Sequence, residues 1–342
     1  MAAGMSGPGR RAGVYLLLGL LAPAIARAAL VRDNLYGVKA LSASEAWAVG
    51  TFGSIYHTTN AGQTWETRES GTRNPLFSVD FADPQHGWAV GKSAIILRTV
   101  DGGASWKPQR SPIPPEKHLF KVQALDVRTA WAVGDWGART VTHDGGEHWE
   151  DRSLGEDVVL YDVSFPDAEH GYVCGEFGTV LATADGGATW EKRAAGTEKT
   201  LFGLDFVTPD EGWAVGIDGL LLHTRDGGRS WAVQRGKVQA ESLDEFGFLE
   251  AMSNPGLYAV RVLGEYGVVV GDTGTVLVST DAGQSWRRLE LPSSRGLAWM
   301  RDVSLVPGTE GIAIGAEGFA VRFDRGQVTL PDGAPATAAA TP

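Results

Sequence analysis

A tetrapeptide that ends in glycine, most often Trp-Ala-Val-Gly, recurs seven times along the 342-residue chain. Successive copies are 41, 43, 41, 41, 55 and 44 residues apart, measured between Gly50, Gly91, Gly134, Gly175, Gly216, Gly271 and Gly315. A period near 40 residues, with short alternating segments between polar turns, is typical of a four-stranded sheet repeated around an axis. The spacing therefore predicts an all-β, seven-bladed β-propeller of four-stranded antiparallel blades.

Each copy also carries a polar turn between its predicted third and fourth strands, and in six copies this turn ends in tryptophan, with the pattern Ser/Thr-x-Asp-x-Gly-x-x-Trp. The side chain at the Asp position can accept hydrogen bonds from backbone N–H groups ahead of it, and the glycine allows a positive φ. The seventh copy departs from the pattern, since Thr329 stands where tryptophan is expected. We assign a structural role to the side chains at the Asp position, which are Asn60, Asp101, Asp144, Asp185, Asp226 and Asp281.

These turns are those of the Asp-box, or BNR, repeat. Together with the seven Gly-Trp-Ala-Val-Gly-like segments they resemble the photosystem II assembly and stability factor family and its bacterial relatives. The resemblance covers residues 35–330. It implies a seven-bladed propeller that acts without catalysis as an assembly or stability factor for a membrane protein complex, on the lumenal or periplasmic side. Outside photosynthesis, the client we expect is a transport or envelope system.

The first 28 residues have the pattern of a secretory signal peptide. Arg10 and Arg11 precede an apolar run at 14–21, and the small-x-small sequence that signal peptidase accepts ends at Ala28. The apolar run is shorter than the roughly 20 residues of a membrane span. We expect cleavage after Ala28 and export to the periplasm of a Gram-negative bacterium, or to an equivalent lumenal compartment. General secretion and twin-arginine export remain alternative routes.

One propeller domain is predicted to fill residues 29–330. The seventh copy has a poor fourth strand after Asp324, whereas the segment 29–33 lies where a strand would precede the first copy. We therefore expect the mature N-terminus to complete the last blade. The segment 331–342 is rich in alanine, proline and threonine and is predicted to be disordered.

Composition argues against several classes of partner. The chain has 41 acidic and 30 basic residues, with a net charge of −11, whereas nucleic acid binding needs a basic face. The single cysteine, Cys174, and seven histidines without ligand spacing predict no metal site and no cofactor. We expect a monomer that contacts a membrane protein or membrane complex from the periplasmic side.

Aromatic residues and carboxylates are predicted to share one face of the propeller. The hairpins between second and third strands lie on the same face as the linkers between blades, and functional loops on a rigid scaffold commonly form binding surfaces. The longest linker, residues 236–256, lies on this face too. We assign a protein-binding role to Phe52, Asp135, Trp136, Glu176, Phe177 and Asp218, and to Phe246 and Phe248 in the long linker.

The first predicted strand of each copy has an aromatic residue two positions before its central apolar residue, except in the seventh copy, where Arg301 stands. The six aromatic residues are Tyr36, Phe77, Phe120, Tyr161, Phe202 and Tyr258. Two interpretations are open: the seventh blade packs differently, with Trp299 replacing the missing ring, or Arg301 has a functional role. Because innermost strands line the channel, Arg261, Arg301 and Asp302 are the channel candidates, with a solvated lining as the default interpretation.

Asp-boxes are named from sialidases, so a glycoside hydrolase or a glycan-binding propeller is the alternative function. A sialidase-like site needs arginines that grip a carboxylate and a tyrosine nucleophile, which Arg261, Arg301 and Tyr258 could supply. Tyr258 belongs to the aromatic column, however, and the chain has no Phe/Tyr-Arg-Ile-Pro segment. We therefore predict a protein-binding propeller that is not an enzyme.

Overall fold

Seven antiparallel sheets follow one another around a central channel, and each contains four strands that are consecutive in the chain, which confirms the predicted fold class. The computed structural model describes residues 31–235, 254–291, 298–308, 310–324, 327–330 and 337–338, together with Met1. Blades 1 and 2 contain β1 (Leu35–Ala40), β2 (Ala46–Gly50), β3 (Ile55–Thr58), β4 (Glu66–Arg68), β5 (Leu76–Phe81), β6 (Gly87–Gly91), β7 (Ile96–Thr99) and β8 (Lys107–Gln109). Blades 3 and 4 contain β9 (Leu119–Ala124), β10 (Ala130–Gly134), β11 (Arg139–Thr142), β12 (Glu150–Asp151), β13 (Leu160–Ser164), β14 (Gly171–Gly175), β15 (Thr179–Thr183) and β16 (Glu191–Ala194).

Blades 5 to 7 complete the ring. Their strands are β17 (Leu201–Phe206), β18 (Gly212–Gly216), β19 (Leu221–Thr224), β20 (Ala232–Arg235), β21 (Leu257–Leu263), β22 (Tyr266–Gly271), β23 (Val276–Ser279), β24 (Arg287–Glu290), β25 (Met300–Val306), β26 (Glu310–Gly315), β27 (Ala320–Asp324) and β28 (Gln327–Thr329). Short 3₁₀ turns join the second and third strands at Thr51–Gly53, Lys92–Ala94, Glu176–Gly178, Ile217–Gly219 and Ala316–Gly318. Within the described ranges there is no α-helix, and accordingly none long and apolar enough to cross a membrane.

The polar turns have the geometry that their sequence pattern favours. In blade 4 the Thr189 N–H donates to Asp185 Oδ1 at 2.9 Å, and the Thr189 hydroxyl donates to Oδ2 at 2.6 Å. These bonds stabilise the carboxylate and lower the pKa of Asp185 to about 2. Asn60 accepts the equivalent hydrogen bond from the Thr64 N–H at 2.9 Å, so in blade 1 the side-chain amide takes the place of the carboxylate. The turn thereby holds the third and fourth strands together.

Neighbouring blades pack through the tryptophan of the repeated tetrapeptide and the second glycine of the next polar turn. Trp47, Trp88, Trp131 and Trp213 are all fully buried. Gly187 of blade 4 lies directly against the indole of Trp131 in blade 3. Trp190, from the same turn as Gly187, meets Trp131 edge-on with ring centroids 5.6 Å apart. A glycine is needed because a side chain would occupy the space of the indole.

The innermost strands use polar side chains to join one blade to the next. The first strand of a blade is an edge strand, so its outward N–H groups need acceptors from elsewhere. The Val38 N–H donates to Asp302 at 3.1 Å, which links blade 1 to blade 7. The Leu204 N–H donates to Asp162 at 3.2 Å, and the Val262 N–H donates to Asp205 at 2.7 Å. Asp302, which we expected to line a solvated channel, therefore also helps to hold the ring together.

The last blade supplies its own fourth strand, so the prediction that the N-terminus completes this blade is wrong. In β28, Val328 pairs with Phe323 and Gln327 pairs with Asp324 of β27. The strand therefore forms although Thr329 stands where the other copies have tryptophan. The described residues 31–34 form no strand. Val31 instead packs in a cluster with Ile312, Ile314 and Ala320 of blade 7.

The segment predicted to be a disordered tail contains one further strand, β29 (Thr337–Ala338). It pairs with the outermost strand of blade 6, where Leu289 is opposite Ala338. Strand β24 is the free edge of its sheet, and a free edge offers backbone groups to any extended segment within reach. The other residues of this tail, and the predicted signal peptide at 1–28 apart from Met1, lie outside the described residues.

The seam between blades 7 and 1 has a smaller residue than most other seams and contains a cavity of about 200 Å³. Ile312 stands where blades 1, 2, 3 and 5 have tryptophan, and it contacts the turn of blade 1 at Gly62. The cavity is lined by Ala61, Gly62, Gln63, Ile312, Ala320, Arg322, Thr329 and Leu330. This seam is where the ring closes on itself.

The substitution Ile312→Trp is expected to stabilise the protein by about 1 kcal/mol, because it fills the cavity at the seam as tryptophan does elsewhere. Thermal unfolding followed by circular dichroism would show a midpoint a few degrees higher than that of the wild type. The matched control is Ile314→Trp, which overpacks a fully buried position on the same strand and should lower the midpoint. A lower midpoint for both variants would contradict the prediction.

Candidate functional site

Three aromatic side chains project from the hairpins between second and third strands on one face of the propeller. The exposed fractions of these residues are 75% for Phe52, 54% for Trp136 and 70% for Phe177. All three have left-handed backbone geometry, with φ of 57°, 54° and 55°. An aromatic residue is uncommon in this region, and residues held there often serve a function. The other blades have Ser93, Asp218, Thr273 and Glu317 at this position.

The carboxylates predicted beside these aromatics make local structural contacts. Asp135 accepts a hydrogen bond from the His118 N–H at 2.6 Å, and Glu176 accepts one from the Val159 N–H at 2.9 Å. Asp218 lies 3.0 Å from the Lys199 ammonium. The acidic side chains therefore fix the hairpins to the incoming linkers, and the aromatic rings are the exposed part. Phe246 and Phe248, predicted to extend this surface, lie outside the described residues.

The aromatic column lines a cavity of about 350 Å³ at the mouth of the channel, on the same face as the three exposed aromatics. Each ring is half-buried and neighbours the next one around the axis. The centroid distances around this ring are 5.7 Å for Tyr36–Phe77, 5.4 Å for Phe77–Phe120, 5.7 Å for Phe120–Tyr161, 5.1 Å for Tyr161–Phe202 and 5.3 Å for Phe202–Tyr258. We call this cavity, with its six aromatic walls, the mouth cavity.

A β-bulge in the first strand of each blade directs these side chains into the mouth cavity. In blade 1 the pairing register shifts between Leu35 and Gly37, which leaves Tyr36 as the extra residue. The same shift isolates Tyr161, Phe202, Tyr258 and Arg301 in their blades. A bulge re-aims a side chain away from the sheet. A bulge leaves no mark in a period-two pattern, so the sequence alone does not indicate that this column lines a cavity.

Arg301 and Trp299 close the aromatic ring between blades 6 and 1. Trp299 stacks on Tyr36 with centroids 6.0 Å apart and planes 3° from parallel. The Arg301 guanidinium lies over two rings, 4.7 Å from that of Tyr258 and 5.8 Å from that of Phe202. The two open interpretations are thus compatible, since Trp299 supplies an extra ring and Arg301 faces the cavity as a cation.

The charged residues at the floor of the mouth cavity and below it form ion pairs across the channel. The Lys121 ammonium lies 3.3 Å from Asp302, and the Arg261 guanidinium lies 3.6 Å from Asp162. Desolvation, opposed by Arg261, raises the pKa of the nearby Asp205 to about 6. Desolvation and the 2.9 Å hydrogen bond that its hydroxyl donates to Asp272 raise the pKa of Tyr258 to about 12. Tyr258 is therefore held as a neutral phenol.

Metal ligands do not gather in the described ranges, where no three His, Cys, Asp or Glu side chains are placed to hold an ion. Cys174 is fully buried, and burial raises the pKa of its thiol. On this face of the described structure, the mouth cavity and the three exposed aromatic side chains around it are the candidates for binding.

Solved structures with the same fold include two YCF48 proteins. A structure of YCF48 bound to a D1 peptide has a TM-score of 0.68 at 20% identity, over 86% of this chain and 94% of that one. YCF48 from Cyanidioschyzon merolae has a TM-score of 0.66 at 21% identity, over 86% and 96%. The GH74 xyloglucanase from Xanthomonas campestris has a TM-score of 0.69 at 16% identity, and the match covers 91% of this chain but 55% of the enzyme.

Comparison of sequences is more specific than the shared fold. No curated protein sequence matches the chain significantly. The family model described as photosynthesis system II assembly factor YCF48 matches three overlapping segments, residues 65–158, 149–241 and 194–298. These segments together span more than half of the chain and include five of its six tryptophan-bearing polar turns in full. The chain therefore belongs to the YCF48 family of photosynthesis system II assembly factors.

Proposed function

We propose that this protein is an exported, non-enzymatic propeller that binds a membrane protein or membrane complex and assists its assembly or stability. The observation that carries the proposal is the placement of Phe52, Trp136 and Phe177 at strained, exposed positions around the mouth cavity. Rigid aromatic anchors beside a concave site are typical of protein-binding surfaces. The YCF48 relative bound to a D1 peptide supports the choice of a membrane protein as the class of client.

Export to the periplasm is part of this proposal. The support is the pattern of residues 1–28, with cleavage after Ala28, and the family's role on the lumenal or periplasmic side. In an organism without photosystem II, the client we propose is a transport or envelope system. Mass analysis of the protein purified from its native host would give the N-terminal residue. An intact Met1 on the native protein would contradict cleavage.

Replacing Phe52, Trp136 and Phe177 together by asparagine is expected to reduce capture of the client at least tenfold. Asparagine tolerates a positive φ, so the fold should be retained while the apolar contacts are lost. The tagged mature protein would be cross-linked in its native cell envelope, and its partners would be quantified by mass spectrometry. The thermal midpoint of the triple variant should equal or exceed that of the wild type.

The matched control replaces exposed apolar residues on the opposite face, Val127→Asn and Val207→Asn, and should leave capture unchanged. Capture of the same membrane protein by all three proteins would contradict the assignment of this face. Capture of no membrane protein by the wild type would contradict the client class.

The alternative function is glycoside hydrolysis or glycan binding. We retain it because the fold is similar to part of a GH74 xyloglucanase. Aromatic walls are suited to sugar rings as well as to apolar side chains. The two functions are distinguished by incubating the purified protein with xyloglucan and with sialosides. Release of reducing sugar that Arg301→Gln abolishes would favour the enzyme over the assembly factor.

A further inference from the structure

One cationic side chain at the mouth cavity, Arg301, makes no hydrogen bond or ion pair with any described residue. Asp302 at its floor pairs with Lys121 at 3.3 Å, and Asp162 pairs with Arg261 at 3.6 Å. Arg301 instead rests on two aromatic rings. The two carboxylates of the cavity floor thus have other cationic partners, and the Arg301 guanidinium presents donors that no described residue uses. An anion is the complementary ligand, because a guanidinium offers a planar fork of N–H donors.

The rest of the cavity wall is suited to an apolar ring. Six aromatic side chains surround it, and Trp299 adds a seventh ring that stacks on Tyr36. The volume of about 350 Å³ is within the range of small-molecule sites. An engineered cavity of about 150 Å³ is already large enough for benzene. The mouth cavity therefore has room for a ring and a short acidic arm together.

We propose that the mouth cavity binds a carboxylate attached to an apolar ring, with the ring against the aromatic walls and the carboxylate on Arg301. This chemistry has two sources, a free small organic acid or an acidic group carried by the client polypeptide. The site itself does not depend on the proposed client-binding role, because it is defined by the aromatic cavity and by the Arg301 guanidinium. Cationic ligands are disfavoured by Arg301, and uncharged ones leave its donors without acceptors.

Phenylacetate and its neutral isostere phenylacetamide test the proposal by calorimetric titration of the mature protein. We expect phenylacetate to bind the wild type at least tenfold more tightly than phenylacetamide. Arg301→Gln should weaken phenylacetate binding at least tenfold and leave phenylacetamide unchanged, whereas Arg301→Lys should retain part of the preference. The matched control, Arg128→Gln, alters an exposed arginine in a hairpin between first and second strands, and should have no effect.

Equal affinity for phenylacetate and phenylacetamide, or no binding of either, would overturn the proposal. An equal loss in Arg128→Gln would do so too, because the effect would then be one of net charge. Client capture in the presence of saturating phenylacetate separates the two sources. If phenylacetate reduces client capture, and Arg301→Gln reduces it to the same extent without phenylacetate, the client's own carboxylate enters the cavity. Unchanged capture indicates that the cavity binds a free small acid. If only the triple asparagine variant loses capture, the proposed client surface is supported and the mouth cavity takes no part in client binding.

Discussion

Replacing Gly187 by alanine is expected to destabilise the propeller by about 3 kcal/mol, whereas the same change at the adjacent Gly186 should cost about 1 kcal/mol. Both glycines have a positive φ, of 91° and 68°. A methyl group on Gly187 would overlap the fully buried indole of Trp131, but one on Gly186 would meet only the Ala168 carbonyl oxygen at 3.1 Å. The two changes therefore share backbone strain and differ in steric overlap.

Thermal unfolding followed by circular dichroism and tryptophan fluorescence measures the difference between the two variants. The Gly187 N–H donates to the Thr183 hydroxyl, and the Gly186 N–H donates to the Glu169 carbonyl oxygen. Alanine at either position can make the same hydrogen bond. Equal midpoints for the two variants would mean that strain alone matters, and that the contact between glycine and indole is not the joint between blades. A clearly larger loss in Gly187→Ala than in Gly186→Ala would establish that contact as the joint.

The number of blades and the polar turns were predictable because they depend on local chemistry that recurs in each copy. A residue such as Asp185 acts on N–H groups within four positions of itself, so its role can be inferred from sequence spacing. The buried tryptophans were predictable for the same reason, since a repeated aromatic position needs a repeated neighbour. Because the motif repeats, equivalent positions in different blades could be compared within this one sequence.

Contacts between copies were not predictable in the same way. The hydrogen bond from the Val38 N–H to Asp302 joins residues 264 positions apart, and nothing near either residue in the chain indicates it. The bulge that exposes Tyr36 is a property of pairing with Gly50 and Val49, not of the sequence around Tyr36. The closure of blade 7 was mispredicted because β28 lacks the tryptophan that marks the fourth strand in the other copies, yet it pairs with β27.

The sequence identifies Arg301 as unusual but does not indicate what it does. Its departure from an aromatic column was visible in the alignment of copies. That the column lines a cavity, and that Asp162 and Asp302 already have cationic partners, required the geometry. A charge becomes a candidate binding group only when its neighbours are known to be paired elsewhere.

Replacing Arg261 by glutamine is expected to destabilise the protein by about 3 kcal/mol at pH 8, because it leaves buried carboxylates without their cation. The Arg261 guanidinium lies 3.6 Å from Asp162, donates to the Leu204 carbonyl oxygen at 3.0 Å and opposes the desolvation of Asp205. Burial disfavours the charged form of Arg261, but the surrounding carboxylates outweigh this and raise its pKa. Arg261 thus connects the innermost strands of blades 4, 5 and 6.

The loss in Arg261→Gln should shrink as the pH falls from 8 to 5. Desolvation holds the pKa of Asp205 at about 6 in the folded wild type, above the ordinary value of about 3.9 for an unfolded chain. Without Arg261 the folded-state pKa rises further, so the folded variant takes up protons that the unfolded chain does not yet bind. Stability relative to the unfolded chain therefore increases as the pH decreases through that pKa. Thermal midpoints at pH 8, 6.5 and 5 would show the variant approaching the wild type.

Two further variants separate this structural role from a role in binding. Arg261→Lys keeps the charge and should lose less stability than Arg261→Gln at pH 8. The double change Asp205→Asn with Arg261→Gln should recover part of the loss, since it removes one of the stranded carboxylates. If Arg261→Gln is instead as stable as the wild type at every pH yet fails to bind phenylacetate, Arg261 belongs to the binding site with Arg301. The channel below the mouth cavity would then be part of the ligand's path and not only the joint between blades.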